Sequence, residues 1–482
     1  MSPWLYALFG VIGILLVLIV VIIVRTLLFT KKPEPEASDE VITLDEEKII
    51  SNLQALVRCK TISRYDTSLE DDAEFEKLIA LLPELYPCVY EKCTLTRFDG
   101  RGLVYKWEGK SHDAPVVLMA HYDVVPVSEA DWEHPPFDAL LLDDVIWGRG
   151  TLDTKVTFAS ILYSANKLIG EGFVPKNDIY LAFSGGEEVN GVGASRIVDY
   201  FETNGISPSL VLDEGGAVVE NVFPGVKRPC ALIGIAEKGM INLEYRVASN
   251  GGHASAPKPH TPVGVLSRAC VRLEGHPFPS HITMPVAEMF DTLGRHSSFL
   301  YRMIFANMWA FGWVIDLICR RGGGELNALM RTTVAFTEMS GSDAPNVIPP
   351  SATMVSNMRL NPRDSVESAV EYVRRTIGDD TVELNVLDSF EPSRISDPHT
   401  EGFRRVERAI VSTWRGSIVS PYLMMQCSDS RYWGRISDKV YRFSAMDLTK
   451  EERGTIHGNN ERIRVECLKR ATEFYIRLIM EC

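Results

Sequence analysis

Five short segments carry the side chains that could do chemistry. LMAHYDVV presents His121 and Asp123, WGRGTLDTK presents Asp153, and YLAFSGGEEVNG presents the adjacent pair Glu187 and Glu188. SLVLDEGG presents Asp213 and Glu214, and TIHGNNERI presents His457 between Gly454 and Gly458. Each alone has an ordinary structural reading: a histidine at a strand end is commonly hydrogen-bonded into the fold, and a carboxylate at a loop start commonly caps a helix. Together, two imidazoles and several carboxylates with no thiol among them make the donor set of a borderline divalent ion such as zinc. A carboxylate cluster without counter-charge repels itself, and bound cations remove that cost. A zinc-free structural protein would require all five segments to coincide by chance.

Sites in open α/β sheets gather beyond the carboxyl ends of strands, so the elements around these residues matter. EEKIISNLQALVRCKTIS and DDAEFEKLIALLPELYP are apolar at helical spacing, and two amphipathic helices are predicted to open the body. APVVLMAHYD and DIYLAFSG are buried strands ending in polar residues, with TKVTFASILYSANKLIGEG as the crossover helix between them. This alternation predicts an α/β catalytic domain with a largely parallel sheet. Near Gly234 the pattern changes to the strand-like INLEYRVAS, ATMVSNMRL and TVELNVLDS, interleaved with the helical TPVGVLSRACVRLEG and SVESAVEYVRRTIG, which suits a smaller inserted α+β domain. Within it, residues 281–335 carry the apolar SSFLYRMIFANMWAFGWVIDLI, too interrupted for a membrane span and expected to be buried in a lid or interface.

Before the body, Leu5 to Val24 are twenty consecutive uncharged residues, enough at ~1.5 Å per residue to cross the ~30 Å core of a bilayer. A cleaved signal peptide would want a positive start, a shorter apolar stretch and a small-residue cleavage site, none of which is present. The expected organisation is therefore a tail (1–4), a transmembrane helix (5–24) and a tether (25–44). The catalytic domain follows in two parts (45–235 and 392–482), split by the inserted domain (236–391). Pro-bearing and charged, KKPEPEASDEVITLD within the tether reads as solvated chain.

The chain has 482 residues, 45% hydrophobic and 24% charged, which suits folded protein of two or three domains. Its 50 Lys+Arg against 64 Asp+Glu give a formal charge of −14, which excludes the basic footprint of nucleic-acid binding. Nine scattered cysteines form no Cys-x-x-Cys pair, so neither a structural zinc cage nor a disulfide framework is signalled, and only a Cys88–Cys93 bridge stays open.

Read in order, the blocks AHYDVVPV, HPPFDA, WGRGTLD, GEEVNG, LDEGG, GGHAS, NVIP and IHGNNERI make the body from about residue 45 onward resemble the co-catalytic zinc metallopeptidases. That family includes carboxypeptidase S, the aminoacylases and the N-fatty-acyl-amino-acid synthase/hydrolases, and the carboxypeptidase S branch is the most similar. The resemblance implies two zinc ions per chain: Asp153 bridges them, His121 and Asp213 complete one site, and Glu188 and His457 the other. Asp123 would orient the His121 imidazole, and Glu187 would be the general base that takes a proton from the attacking water. His253 in GGHAS would polarise the scissile carbonyl, in some members from the partner subunit of a dimer, while Asn346 and Arg359 would hold the substrate's carboxylate.

The sequence departs from relatives at Thr154, at FSGG before Glu187 and at QCSDSRYW, which bears on substrate preference more than on metal binding. The implied activity is hydrolysis of an amide bond next to a free carboxylate, in a C-terminal peptide bond or an N-acyl amino acid. The inserted domain is the expected place for a homodimer contact. A catalytically silent scaffold on the same fold is the alternative, and it would be expected to lack Glu187 or a ligand. Arg25, Lys31 and Lys32 after the apolar span favour a cytoplasmic body, whereas the resemblance is to exported enzymes; a lumenal or extracellular catalytic domain is the expectation.

Overall fold

The computed structural model describes residues 3–482, so the first two residues of the expected tail lie outside it. Two larger sheets and two small ones make up the body, and the strands follow in chain order. β1 (Thr94–Phe98) and β2 (Gly102–Trp107) form a hairpin through Gly100 and Arg101, both at positive φ, and β3 (Ser111–His121) follows. β4 (Leu140–Leu142) and β5 (Val145–Trp147) form a second hairpin, then come β6 (Asn177–Ser184), β7 (Leu210–Val219) and β8 (Cys230–Glu237). The inserted segment supplies β9 (Gly239–Ala248), β10 (Gly252–His253), β11 (Thr333–Ser340), β12 (Val347–Ile348), β13 (Ser351–Leu360) and β14 (Glu383–Phe390). The chain then returns with β15 (Ile418–Met424), β16 (Val440–Asp447) and β17 (Arg462–Arg464). The two small sheets are β10-β12 and β17-β5-β4.

The large sheet runs β1-β2-β6-β3-β7-β16-β8-β15. Its centre is parallel, from β6 through β3 and β7 to β16, and the β8–β15 edge pair is parallel too. Every residue of β6, β8 and β15 is buried, as a strand covered on both faces must be, and this explains their unbroken apolar runs. Helices Lys155–Gly170 and Val465–Met480 pack with Leu53, Phe158, Phe183 and Phe474 in the main core, while Gly193–Thr203 covers a second cluster around Val104, Phe201 and Trp433. The sheet is nevertheless mixed rather than largely parallel: β1–β2, β2–β6, β16–β8 and β7–β8 are antiparallel. The reason is local. A short loop, with no crossover helix, joins β7 to β8, and such a connection can only turn the chain back on itself.

The smaller unit is a four-stranded antiparallel sheet, β11-β13-β9-β14, with helices Pro262–Gly275 and Val366–Ile377 packed on it. Its own core joins Ile241, Leu243, Tyr245, Leu266, Met354 and Val373. β13 alternates strictly between half-buried and buried positions, as expected of a strand with one covered face. The two interleaved helices and β9, β13 and β14 are where the sequence pattern placed them, whereas β11 was not foreseen.

Residues 281–335 behave differently from the expectation. Helices Met284–His296 and Gly324–Met330 join the main core through Val286, Met289, Phe290, Leu293, Leu329 and Met330, not the core of the small sheet. Between them, helices Phe299–Ala306 and Met308–Gly322 leave Phe299, Leu300, Trp309 and Trp313 exposed rather than buried. At the N-terminus, helix Pro3–Leu28 is long and apolar enough to cross a membrane, and it extends past the expected Leu5–Val24 at both ends. The segment after it is pinned to the body: Arg228 pairs with both oxygens of Glu34 at 2.7 and 2.9 Å, and Arg477 donates to the Glu40 carbonyl at 2.7 Å.

Among the described residues all nine cysteines are free, so Cys88 and Cys93 are not bridged. Cys88 lies in the helical turn Pro87–Lys92, whereas Cys93 is the extended residue that follows it.

One buried ion pair fastens the sheet beneath the site. Arg442 on β16 and Glu237 at the end of β8 are each 1% exposed and 2.7 Å apart, and Glu237 also accepts from the Ser428 N–H at 2.7 Å. Arg442→Met strands the Glu237 charge in the core, with an expected cost of about 3–5 kcal/mol. The check is the urea midpoint of the purified chain, which should fall; an unchanged midpoint contradicts the role.

Candidate metal centre

β3 ends at His121 and delivers its imidazole to the carboxyl edge of the sheet. Its Nδ1 faces Asp123, 3.1 Å from the carbonyl oxygen and 3.3 Å from Oδ1, which fixes the ring and leaves Nε2 aimed outward. Asp123 is fully buried; it accepts from Ser63 Oγ at 2.7 Å and from the backbone N–H groups of Glu187 and Glu188 at 3.2 Å each. One carboxylate thus orients the histidine and the glutamate turn together. The Gly185–Gly186 turn after β6 allows this close approach: a Cβ on Gly185 would lie 2.7 Å from the Tyr122 ring.

Asp153 sits in the turn before helix Lys155–Gly170, and that turn is held by Glu461. The buried Glu461 carboxylate accepts the N–H groups of Gly150, Leu152 and Asp153 at 3.0, 2.7 and 3.1 Å. Its other partner is Arg149 at 2.5 Å, which also donates to the Gly458 carbonyl at 2.8 Å. Glu461 therefore couples the Asp153 turn to the loop that carries His457. The two oxygens of Asp153 face different histidines: Oδ1 is 3.0 Å from His121 Nε2, and Oδ2 is 3.0 Å from His457 Nε2. Glu188 Oε2 lies 3.0 Å from His457 Nε2, and Glu214 Oε1 lies 3.4 Å from His121 Nε2.

Two overlapping groups of donors follow, His121 with Asp153 and Glu188, and His121 with Glu187 and Glu214. The separations fit a tetrahedral ion, since two donors at ~2.0–2.1 Å from zinc stand roughly 3.3 Å apart. Buried Glu188 Oε1 has no hydrogen-bond partner. Titration directions agree with a site built for cations. Burial pushes Glu188 and Glu214 up to about 7, each also raised by the Asp153 charge, and pushes Glu187 well above the usual carboxylate range. Asp153 goes the other way: burial opposes its ionisation, but hydrogen bonds from His121 and His457 hold it below the usual range. Hydrogen bonds to Asp153 and Glu188 lift His457 to about 10.

The structure brings His121, Asp123, Asp153, Glu187, Glu188 and His457 together as expected. It does not bring Asp213 there. Neighbours on a strand point to opposite faces, and on β7 it is Glu214 that turns toward His121. Asp213 instead accepts from the Ser430 N–H at 2.9 Å, and burial, followed by the Asp429 charge, pushes it up to about 6. Glu214 was named beside Asp213 in the sequence, but the resemblance gave the ligand role to Asp213; Glu461, inside a quoted block, and Ser63 were not singled out. Asp429, also unflagged, is buried and accepts from Ser184 Oγ at 2.5 Å.

A cavity of ≈ 590 Å³ opens beside the cluster, lined by Asp153, Glu187, Glu188, Glu214 and His457 and by apolar residues including Phe223, Met289, Leu293 and Leu329. Arg359 of β13 reaches its edge, with Nη1 3.3 Å from Sγ of Cys427, a lining residue. His253 and Asn346 do not line it. Both are exposed on the β10–β12 ribbon, where His253 pairs with Val347 and the Ala254 N–H donates to the Asn346 carbonyl at 3.0 Å.

An imidazole at a strand end and another in the loop after helix Lys450–Arg453, aimed at opposite oxygens of one carboxylate, make the framework of a metal-dependent hydrolase. Residues 117–481 match the peptidase family M20/M25/M40, and the chain belongs to that metallopeptidase family. It is 35% identical over 470 residues to the probable carboxypeptidase S-like 2 of Dictyostelium discoideum, covering 95% of this chain and 90% of that protein. It is 34% identical over 446 residues to the N-fatty-acyl-amino acid synthase/hydrolase PM20D1 of Xenopus tropicalis, covering 91% and 87%. The M20 family metallo-carboxypeptidase Sso-CP2 from Sulfolobus solfataricus shares the fold with a TM-score of 0.64 at 18% identity, over 91% of this chain and 99% of that one.

Proposed function

We propose that this metallohydrolase is a membrane-anchored di-zinc enzyme that cleaves an amide bond next to a free carboxylate, in a C-terminal peptide bond or an N-acyl amino acid. The observation that carries the reading is Asp153, whose two oxygens stand 3.0 Å from two different imidazoles, as a bridging carboxylate must. His121, Asp153 and Glu214 would hold one ion, and His457, Asp153 and Glu188 the other; Glu214 takes the place expected for Asp213. When bound, the ions supply the Lewis acidity that activates water near neutral pH and polarises the scissile carbonyl. Glu187 stands in the same cavity without an imidazole partner, free to accept the proton of the attacking water and to deliver it to the leaving nitrogen. Asp123 keeps His121 in the tautomer whose Nε2 lone pair faces the site. The carboxypeptidase and acyl-amino-acid relatives support the substrate class.

Arg359 at the cavity edge suits a substrate carboxylate, since its planar fork binds both oxygens. His253 and Asn346, exposed side by side on the small domain, suit a homodimer in which they reach the partner subunit's site. Arg359→Lys keeps the charge and loses the fork. It should raise KM for free-carboxylate substrates while leaving their amidated analogues little changed. Equal effects on both would remove the carboxylate role.

A further inference from the structure

The helices Phe299–Ala306 and Met308–Gly322 meet at Asn307 with a bend of 110°. Eight and fifteen residues at ~1.5 Å each give arms of about 12 and 22 Å, both shorter than the ~30 Å hydrocarbon core. Neither arm spans a bilayer, yet both present large apolar side chains to solvent. On the first, Phe299, Leu300 and Tyr301 are exposed; on the second, Trp309, Trp313 and Leu317 follow at i, i+4 and i+8, with Trp313 70% exposed. A soluble protein does not spend two tryptophans on one open helix face without a partner for them.

The elbow is tied to the N-terminal apolar helix. Arg25 donates to the Ala306 carbonyl at 3.3 Å from Nε and 3.2 Å from Nη2. Asn307 Nδ2 donates to the Ile22 carbonyl and to Thr26 Oγ1, each at 3.2 Å, and Thr26 is fully buried there. A bilayer that takes Leu5–Val24 therefore has its surface within about two helical turns of Asn307. Basic groups flank the elbow, at the end of the N-terminal helix and at the far end of the second arm. Arg25, Lys31, Lys32, Arg320 and Arg321 are exposed, and of these Lys32 and Arg320 are paired, with Asp291 at 2.7 Å and Asp316 at 3.0 Å.

We propose that the 299–322 elbow is an interfacial docking element that lies in the headgroup region and seats the catalytic body on the bilayer. The proposal rests on the reading of Pro3–Leu28 as a membrane anchor. Tryptophan, leucine and phenylalanine on one face with arginines at the end form the composition of helices that lie in the interface plane. Anionic headgroups complement Arg25, Lys31 and Arg321, which face no carboxylate within salt-bridge distance among the described residues. A second copy of this chain could cover the apolar face, but it would leave these cations unanswered and would have to share the surface with the lipid around the N-terminal helix.

The position matters for the site. On its inner side the elbow stacks Phe305 on Phe223, ring centroids 4.7 Å apart, and Phe223 lines the catalytic cavity. The helices immediately before and after the elbow wall the same cavity through Met289, Leu293 and Leu329. Phe305 and Phe223 thus stand between the elbow and the cavity, and docking would hold the apolar wall of the cavity against the membrane.

The test is photolabelling of the full-length chain in phosphatidylcholine–phosphatidylserine vesicles with a phospholipid carrying a diazirine in its acyl chain, followed by peptide mapping. The expected result is lipid adducts on peptides from 1–28 and from 299–322, with loss of the second set in Trp309→Asp/Trp313→Asp and retention of the first. Adducts on 1–28 alone would overturn the docking element while leaving the anchor. Chain-to-chain cross-links through the elbow without lipid adducts would also overturn it and identify a dimer contact. Adducts on neither segment would overturn the anchor and the docking element together.

Discussion

Glu187→Gln should lower kcat by about 10²–10⁴-fold while the protein keeps its fold and its metal content. The carboxylate lines the cavity beside Asp153 and Glu188 and stands within donor range of His121 and Glu214, but in the proposed ligand set neither ion uses it, so its loss should remove a proton carrier and leave both ions held. Glutamine matches it in size and can still accept the Asp123-directed backbone geometry, because the 3.2 Å bond to Asp123 comes from the Glu187 main-chain N–H. The measurement is single-substrate kinetics beside metal analysis of the same preparation. Wild-type turnover would remove Glu187 from the mechanism, and loss of metal would make it a ligand instead.

Asp153→Ala has the other large effect. It takes away the group that both imidazoles face, and it leaves His121, Glu188, Glu214 and His457 as two incomplete half-sites with no shared ligand. Metal analysis should show fewer than two ions per chain, and turnover should fall at least as far as in Glu187→Gln. Two full equivalents would reject the bridge. The backbone around Asp153 is held by Glu461 through three N–H groups, none of which uses the Asp153 side chain, so the turn itself should survive the substitution.

The candidate metal centre was legible in the sequence in so far as its donors stand out by type and by position. His121, Glu187 and Glu188 follow strands of the large sheet, Asp153 and His457 sit in glycine-bearing turns, and the resemblance joined them into one set. Asp213 and Glu214 show the limit of that reasoning. They are adjacent acidic residues on one strand, so only one can face His121, and the choice depends on a strand parity that pattern does not reveal. Glu461 was hidden for another reason: its work is to bind backbone N–H groups, and nothing in a sequence distinguishes such an acid from a solvated one.

The fold was legible to a similar depth. Unbroken apolar runs and interleaved helices marked the large α/β sheet and the small α+β unit, but the antiparallel return from β7 to β8 depends on a loop too short to carry a crossover helix. The apolar residues 299–322 carry no period that separates an interior face from a membrane-facing one, since both are hydrophobic. Only their placement beside Ile22 and Thr26 makes the distinction.

The central claim is that a metal pair held by His121, Asp153, Glu188, Glu214 and His457 hydrolyses an amide next to a carboxylate. Its most direct test is release of free amino acid by the full-length chain, purified in detergent with zinc, from matched dipeptides and N-acyl amino acids with free or amidated carboxyl groups. The account predicts release from free-carboxylate members, loss of release after chelation and recovery when zinc is returned. Release that persists in metal-stripped protein, or no release from any substrate by protein carrying two zinc ions per chain, would contradict it.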